Sequence, residues 1–316
     1  MTLYTFEEIA TDQNFDEKAY LMANPDVADA LRNGTLKSGR SHFDIFGKNE
    51  TRKIRLSSST ISEAKRRKLE KIKPLLRTDM QCLETPSYYD FLSEELRSRF
   101  NIVDTDAVSS NGYDAYGLEL IEKNEDGLVL DCGAGKRPLY FDNVVNFEIA
   151  DYDTTDVRGV GEVLPFISGA FDAVLSIAVL EHVKDPFLCA KEISRVLKPG
   201  GSLMCCVPFL QPLHGYPHHY YNMTSQGLEN LFVDYLAIDK VTTYESVYPI
   251  WSLTWILHSW AAGLQGKTKR DFMKMRISDL MENADKYLNM PFVTELSTEK
   301  NLELASATVL FAHKQS

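Results

Sequence analysis

The sequence predicts an α/β fold, a parallel sheet wrapped by helices, with a small all-helical module in front of it. Three observations point there. From about residue 101, short β-rich apolar runs alternate with helical patterns, as in strands joined by crossover helices. One run, Val129-Leu130-Asp131-Cys132, leads straight into the glycine turn Gly133-Ala134-Gly135. Before residue 56 the chain reads instead as several short capped helices. Its 316 residues suit about two domains.

In the module, residues 1–55, Thr5-Phe6-Glu7-Glu8 fits a capping box, and Asn24-Pro25 an N-cap followed by proline at the first helical position. Val27, Ala28 and Leu31 share a face, Asn33-Gly34 ends that helix, and Ser41–Gly47 repeats the pattern on a smaller scale. Residues 56–100 read as a linker and helical extension. Leu56–Thr60 is polar, and the basic stretch Lys65–Lys73 is either a solvated helix or an anionic-surface contact.

The main domain, residues 101–316, follows. Gly127–Cys132, Val144–Ile149 and Phe171–Val179 read as buried strands. Asp185-Pro186 caps a helix with Ala190, Ile193 and Leu197 inward, and Lys198-Pro199-Gly200-Gly201 ends it. Ser202–Phe209 is the next strand, Thr224 caps another helix, and Lys240–Glu245 and Leu304–His313 supply two late strands. Residues 246–266 carry no charge and include Trp251, Trp255 and Trp260. Lying between two strands of one sheet, they read as part of a helical cap over residues 246–300 rather than a membrane span, with peripheral membrane contact as a second reading.

A net charge of −11 argues against bulk nucleic-acid binding, which needs a basic surface. Hydrophobic residues at 44% and charged residues at 25% exclude a disordered or disulfide-scaffold chain. The five cysteines show no CxxC spacing and read as reduced thiols. Residues 1–13 lack the basic and apolar regions of a secretory signal, so a cytoplasmic setting is expected.

The glycine turn alone admits two cofactor classes. A dinucleotide fold wants a third glycine where Pro138 stands, which argues against a nicotinamide or flavin. In order after the turn come Leu164-Pro165-Phe166, Phe171-Asp172-Ala173-Val174, Leu180-Glu181-His182-Val183 and Arg195-Val196-Leu197-Lys198-Pro199-Gly200-Gly201. With this series, residues 110–315 resemble the class I S-adenosylmethionine-dependent methyltransferases. The resemblance implies a Rossmann-like seven-stranded sheet with its last strand antiparallel, and S-adenosylmethionine lying over the strand C-termini.

By the same resemblance, Asp131, Gly133 and Gly135 hold the methionine part of the cofactor. Glu148 grips the ribose hydroxyls, with Asp151 as fallback. Val160, Gly161 and Glu162 meet the adenine through backbone groups, and Ala178 passes the cofactor. Lys136 and Arg137 either meet the cofactor carboxylate or an anionic substrate, or face solvent. Tyr113 and Tyr116 either cover the cofactor or pack in the core.

A hydroxyl acceptor needs a base near neutral pH, and histidine is the usual one. His182 follows the fourth strand; His214, His218 and His219 follow the fifth. His214, His182 and His218 are the catalytic candidates, and a structural hydrogen bond is the other reading of His182. HxxxHH has no acid at convincing spacing, so no metal site is expected. The N-terminal module resembles one that precedes enzyme domains in bacterial polysaccharide-related proteins. The acceptor is therefore read as a small molecule or glycan-type hydroxyl. A non-catalytic binding protein on this fold is the alternative.

Overall fold

The computed structural model describes residues 1–56, 61–104, 112–215 and 218–310. Ser57–Thr60 of the polar linker and the end of the last expected strand, including His313, lie outside them.

The N-terminal module holds strands as well as helices. β1 (Leu3–Thr5) and β2 (Glu7–Ile9) stand where the capping box predicts a helix. The Thr5 hydroxyl donates to the Glu7 carbonyl at 2.8 Å, turning the chain between them. Helices α1 (Glu17–Ala23), α2 (Pro25–Arg32) and α3 (Gly39–His42) follow, then a π turn over Phe43–Gly47 and strand β3 (Lys53–Arg55), which pairs antiparallel with β2. Tyr20, Val27, Phe43 and Ile54 form the module's core. Asn24 precedes Pro25 as expected, but its amide donates to the carbonyls of Tyr20 and Lys53 at 2.7 and 2.9 Å instead of capping the helix.

The basic stretch forms α4 (Ser62–Ile72), and two of its lysines are buried, which neither expected reading anticipates. Lys65 donates to the Asp153 carbonyl at 2.9 Å; Lys68 reaches Asp156 at 3.0 Å and the Val144 carbonyl at 2.5 Å. The helix is thus tied to the sheet domain through its charges, and burial pushes Lys68 down to about 8. Strands β4 (Leu83–Glu84) and β5 (Tyr89–Asp90) and helix α5 (Glu94–Phe100) complete this segment.

Then come α6 (Ala115–Lys123), β6 (Val129–Cys132), β7 (Leu139–Phe141), β8 (Val144–Glu148), β9 (Val157–Arg158) and β10 (Phe171–Ile177). After β10 run α7 (Pro186–Val196), β11 (Leu197–Cys206) and α8 (Ser225–Phe232). Asp185 and Thr224 cap α7 and α8 as the sequence predicts. The sheet has seven strands in the order β11-β10-β6-β8-β9-β5-β4. All its pairs are parallel except β4–β5.

The antiparallel strand is therefore the first of the sheet in the chain, not the last. Lys240–Glu245 and the described part of Leu304–His313 form no strand. Val309 and Leu310 are 78% and 88% exposed, so among the described residues no neighbour buries this apolar run as a sheet would.

Side chains alternate across the sheet. Leu130, Val145 and Val174 face one core with α4, α7 and α8, while Val129, Val144 and Ala173 face a second with α6. β1 pairs with β7, and Phe6, Ile61 and Tyr140 close the seam between module and sheet. Past α8, α9 (Pro249–Gly263), α10 (Gly266–Phe272), α11 (Pro291–Thr294) and α12 (Thr298–Glu303) gather around a small core of Ala261, Leu264, Phe272, Phe292 and Leu296. Among the described residues no helix is long and apolar enough to cross a membrane.

Candidate active site

Because β6, β8, β10 and β11 are parallel, the loops after Cys132, Glu148, Ile177 and Cys206 open on one edge of the sheet. Gly133 and Gly135 have φ of +83° and +63°, which glycine alone adopts without strain. A Cβ on Gly133 would collide with Val179, so the glycine turn touches the turn after β10. The amides of Gly133 and Ala134 both donate to the Phe147 carbonyl, at 2.9 and 3.0 Å. Ala178 is left-handed without being glycine, at φ +56°, and its amide donates to the Cys206 carbonyl at 2.9 Å. It ends β10 by turning the chain sharply out of the sheet.

Glu148 closes the glycine loop from β8. Its two oxygens accept from the amides of Gly135 and Ile149, each at 2.7 Å. A carboxylate has about four acceptor positions, and the residue is only half-buried, so it keeps room to accept from a ligand. This fits a ligand with a vicinal diol. Burial raises its pKa, and the amides pull it back. Asp151 is exposed beyond it.

Asp131 does not face a ligand. Arg137 grips it with Nε at 2.8 Å and Nη2 at 3.0 Å, and the Tyr113 hydroxyl donates to it at 2.5 Å. Arg137 lies over the Tyr113 ring, 4.2 Å from its centroid. Asp131 and Arg137 are both buried, so this carboxylate shapes the turn and is closed to an ammonium group. Lys136 is half-buried near Arg55, Asp153 and Glu7, toward the N-terminal module. Tyr116 packs on Tyr244 with ring centroids 4.6 Å apart.

The side chains of Val160 and Glu162 also point inward. Val160 packs with Leu92 and Phe100. Glu162 accepts from the amides of Lys184 and Asp185 at 3.0 and 3.3 Å, fixing the turn into α7. Gly161 leaves room for Cys189, whose sulfur would lie 2.7 Å from a Cβ there. Only backbone groups of this segment are left for a ligand.

The histidines gather where the turn after β10 meets the loop after β11. Ring centroids of His182 and His214 are 5.3 Å apart, His214 and His219 4.3 Å, and His182 and His219 5.5 Å. His218 turns its ring away, to the Asn101 backbone at 2.9 Å, and gives the cluster only its carbonyl, which holds His182 Nδ1 at 2.7 Å. His214 Nδ1 donates to the Pro212 carbonyl at 2.9 Å. Burial lowers the pKa of both His182 and His214, which favours the neutral rings.

The residue that the sequence reading passed over is Glu181. It is fully buried, and among the described residues neither oxygen has a hydrogen-bond partner. One oxygen lies 3.7 Å from His182 Nε2, and burial pushes the carboxyl up to about 7. Its signal was an acid set directly after the buried run ending in Leu180, beside a histidine. Gly215, at φ +79°, packs on the His182 ring, where any Cβ would clash. From α9, Trp255 covers His214 with ring centroids 5.1 Å apart, and Trp251 is 59% exposed beside it.

Residues 132–205 match the family model described as a methyltransferase domain. An uncharacterized methyltransferase of Mycolicibacterium gilvum is 33% identical over 87 residues, 27% of this chain and 31% of the relative. The chain thus spans less than a third of that relative's length. The YcgJ protein of Bacillus subtilis is 17% identical, with a TM-score of 0.33 over 50% of this chain and 88% of that one. A Burkholderia thailandensis 1,6-didemethyltoxoflavin-N1-methyltransferase, solved with bound 1,6-didemethyltoxoflavin and S-adenosylhomocysteine, is 16% identical. Its TM-score is 0.27 over 36% of this chain and 63% of that one. At such scores the fold rests on this chain's own strand order.

Proposed function

We propose that this chain, whose α/β domain belongs to the class I S-adenosylmethionine-dependent methyltransferases, moves a methyl group from that cofactor to a hydroxyl of a small molecule. The observation that carries the reading is the meeting of two things on one sheet edge. The glycine turn with Glu148 lies on one side, and the His182–His214 pair with Glu181 on the other, in touch through Gly133 and Val179.

Glu148 would accept from the ribose diol beside the backbone amides that already hold it. Backbone groups of Val160–Glu162 and the left-handed turn at Ala178 would flank the nucleoside. Asp131 acts through Arg137 and Tyr113, keeping the glycine turn in shape. Bound there, the cofactor supplies an electrophilic methyl group on sulfur. His214 and His182 each keep Nε2 as a lone pair, because Nδ1–H is engaged by a carbonyl; each can therefore accept the hydroxyl proton. Trp255 packs on the His214 ring from α9 and would form one wall of the acceptor position.

A glycan-type acceptor draws support only from the N-terminal module, whose described contacts run to β7 and Asp153 rather than to the histidine loop. The exposed Ile250, Trp251 and Leu253 support an apolar portion of the acceptor, or peripheral contact with a membrane that presents it. Five free cysteines suit a reducing, cytoplasmic setting.

Calorimetric titration with S-adenosylmethionine and S-adenosylhomocysteine, with NADH as control, tests the reading. Both sulfur compounds should bind, and Glu148→Ala should weaken them by about tenfold or more. Folded protein that binds neither refutes it.

A further inference from the structure

Glu181, His182 and His214 each offer one donor atom, and the three lie within 4.8 Å of one another. They come from two loops more than thirty residues apart in sequence, which is why the histidine loop alone shows no metal-ligand spacing. Their hydrogen bonds are those of ligands without an ion. A carbonyl oxygen only accepts, so His182 and His214 both carry hydrogen on Nδ1 and present Nε2 as a lone pair. Such an outer bond is what orients metal-binding histidines.

His219 is built differently. Its Nδ1 accepts from the His214 amide at 3.0 Å and its Nε2 is held by Asn222 at 2.9 Å, so both nitrogens are engaged and the ring serves as a buttress. Glu181, buried with no partner among the described residues, is a carboxylate in need of a counter-charge. Its 3.7 Å separation from His182 Nε2 is too long for a hydrogen bond. It is close to the roughly 3.4 Å between two donors that share a tetrahedral ion at about 2.0–2.2 Å.

We propose that Glu181, His182 and His214 bind one divalent transition-metal ion, and that this ion holds the acceptor oxygen. One carboxylate and two imidazoles suit zinc, manganese or iron(II); calcium and magnesium prefer oxygen donors throughout. Three protein donors leave a position open. The second half of the proposal rests on the methyl-transfer reading. A hydroxyl on the open position loses its proton to water at a lowered pKa. Its oxygen then forms the C–O bond as the methyl group's C–S bond breaks. The electron pair of that bond stays on sulfur. The products are a methyl ether, a neutral thioether and one proton in solvent. The ion thereby replaces direct proton uptake by the two imidazoles.

The test uses the full chain stripped with a chelator and titrated with Co2+ alone, followed by visible absorption and then by Zn2+ competition. One Co2+ per chain with ligand-field bands is expected, displaced by Zn2+. Glu181→Gln and His214→Ala should each weaken binding more than about tenfold, while Cys82→Ser, an exposed thiol outside the cluster, should not. Far-UV circular dichroism identifies any variant that fails to fold, and His214→Asn then takes its place. Folded wild type that binds no stoichiometric Co2+, or binding that survives both ligand substitutions, overturns the site. S-adenosylhomocysteine binding is measured on the same samples. If it fails while Co2+ binds, the methyl-transfer reading falls and the ion site stands. If Co2+ fails while the thioether binds, only the site falls.

Discussion

Replacing Arg137 with methionine separates two roles for its guanidinium. In the structure Arg137 pairs with Asp131 through contacts of 2.8 and 3.0 Å, with the two residues 3% and 0% exposed. Methionine keeps much of the volume and removes the charge, leaving Asp131 buried with the Tyr113 hydroxyl as its remaining side-chain donor among these contacts. Breaking a buried pair from one side costs about 3–5 kcal/mol, because the surviving charge stays desolvated. That is a large part of a domain's net stability of about 5–15 kcal/mol.

Urea unfolding at pH 7 should therefore show a much lower midpoint for Arg137→Met at unchanged slope. The double variant Asp131→Asn/Arg137→Met should recover most of the loss, since the two residues are one energetic unit. Tyr113→Phe should cost less, about 1.5–3 kcal/mol for one hydrogen bond to a charge. If Arg137→Met loses under about 1 kcal/mol yet weakens S-adenosylhomocysteine binding tenfold, the guanidinium serves the ligand. The assignment of Asp131 as a shaping residue is then wrong.

Two further outcomes follow from the histidine site. In the metal-free protein the Glu181 carboxyl is raised from 4.5 to about 7 by burial, so the native state binds more protons than the unfolded state between those values. Its contribution is present below about pH 4.5 and lost as pH rises through about 7, some 3 kcal/mol in all. Unfolding curves of wild type and Glu181→Gln at pH 5 and 8 should differ by that pH-dependent amount; equal pH dependence in the two proteins refutes it. Gly215→Ala should cost at least about 1–2 kcal/mol for the left-handed backbone alone. It should also displace the His182 ring, read as a loss of Co2+ affinity in a protein that still binds S-adenosylhomocysteine.

The parts of this molecule that could be read in advance are those whose signals are local. β6, β8 and β10 are buried on both faces, so their apolar runs are continuous, and α7 announces itself through Asp185-Pro186. Glu148 was legible as the last residue of a strand. What escaped depends on partners remote in sequence. An apolar run that marks a strand at Val144 marks nothing at Leu304, where no neighbouring edge among the described residues buries it. The antiparallel strand Leu83–Glu84, two residues long, has no periodicity to find.

Charge was read outward in the sequence and runs inward in the fold. Lys65, Lys68 and Arg137 are all buried, each against a carboxylate or carbonyl supplied by the sheet domain. Pairing of this kind removes ligand-binding roles from Asp131 and Arg137 at once. By contrast, Glu181 has no described partner in the same interior. A protein that matches its other buried charges so consistently, and leaves one carboxylate unmatched between two imidazole lone pairs, has placed that exception where its chemistry is expected. The unmatched acid, more than any of the histidines singly, is therefore the residue on which the reading of this site turns.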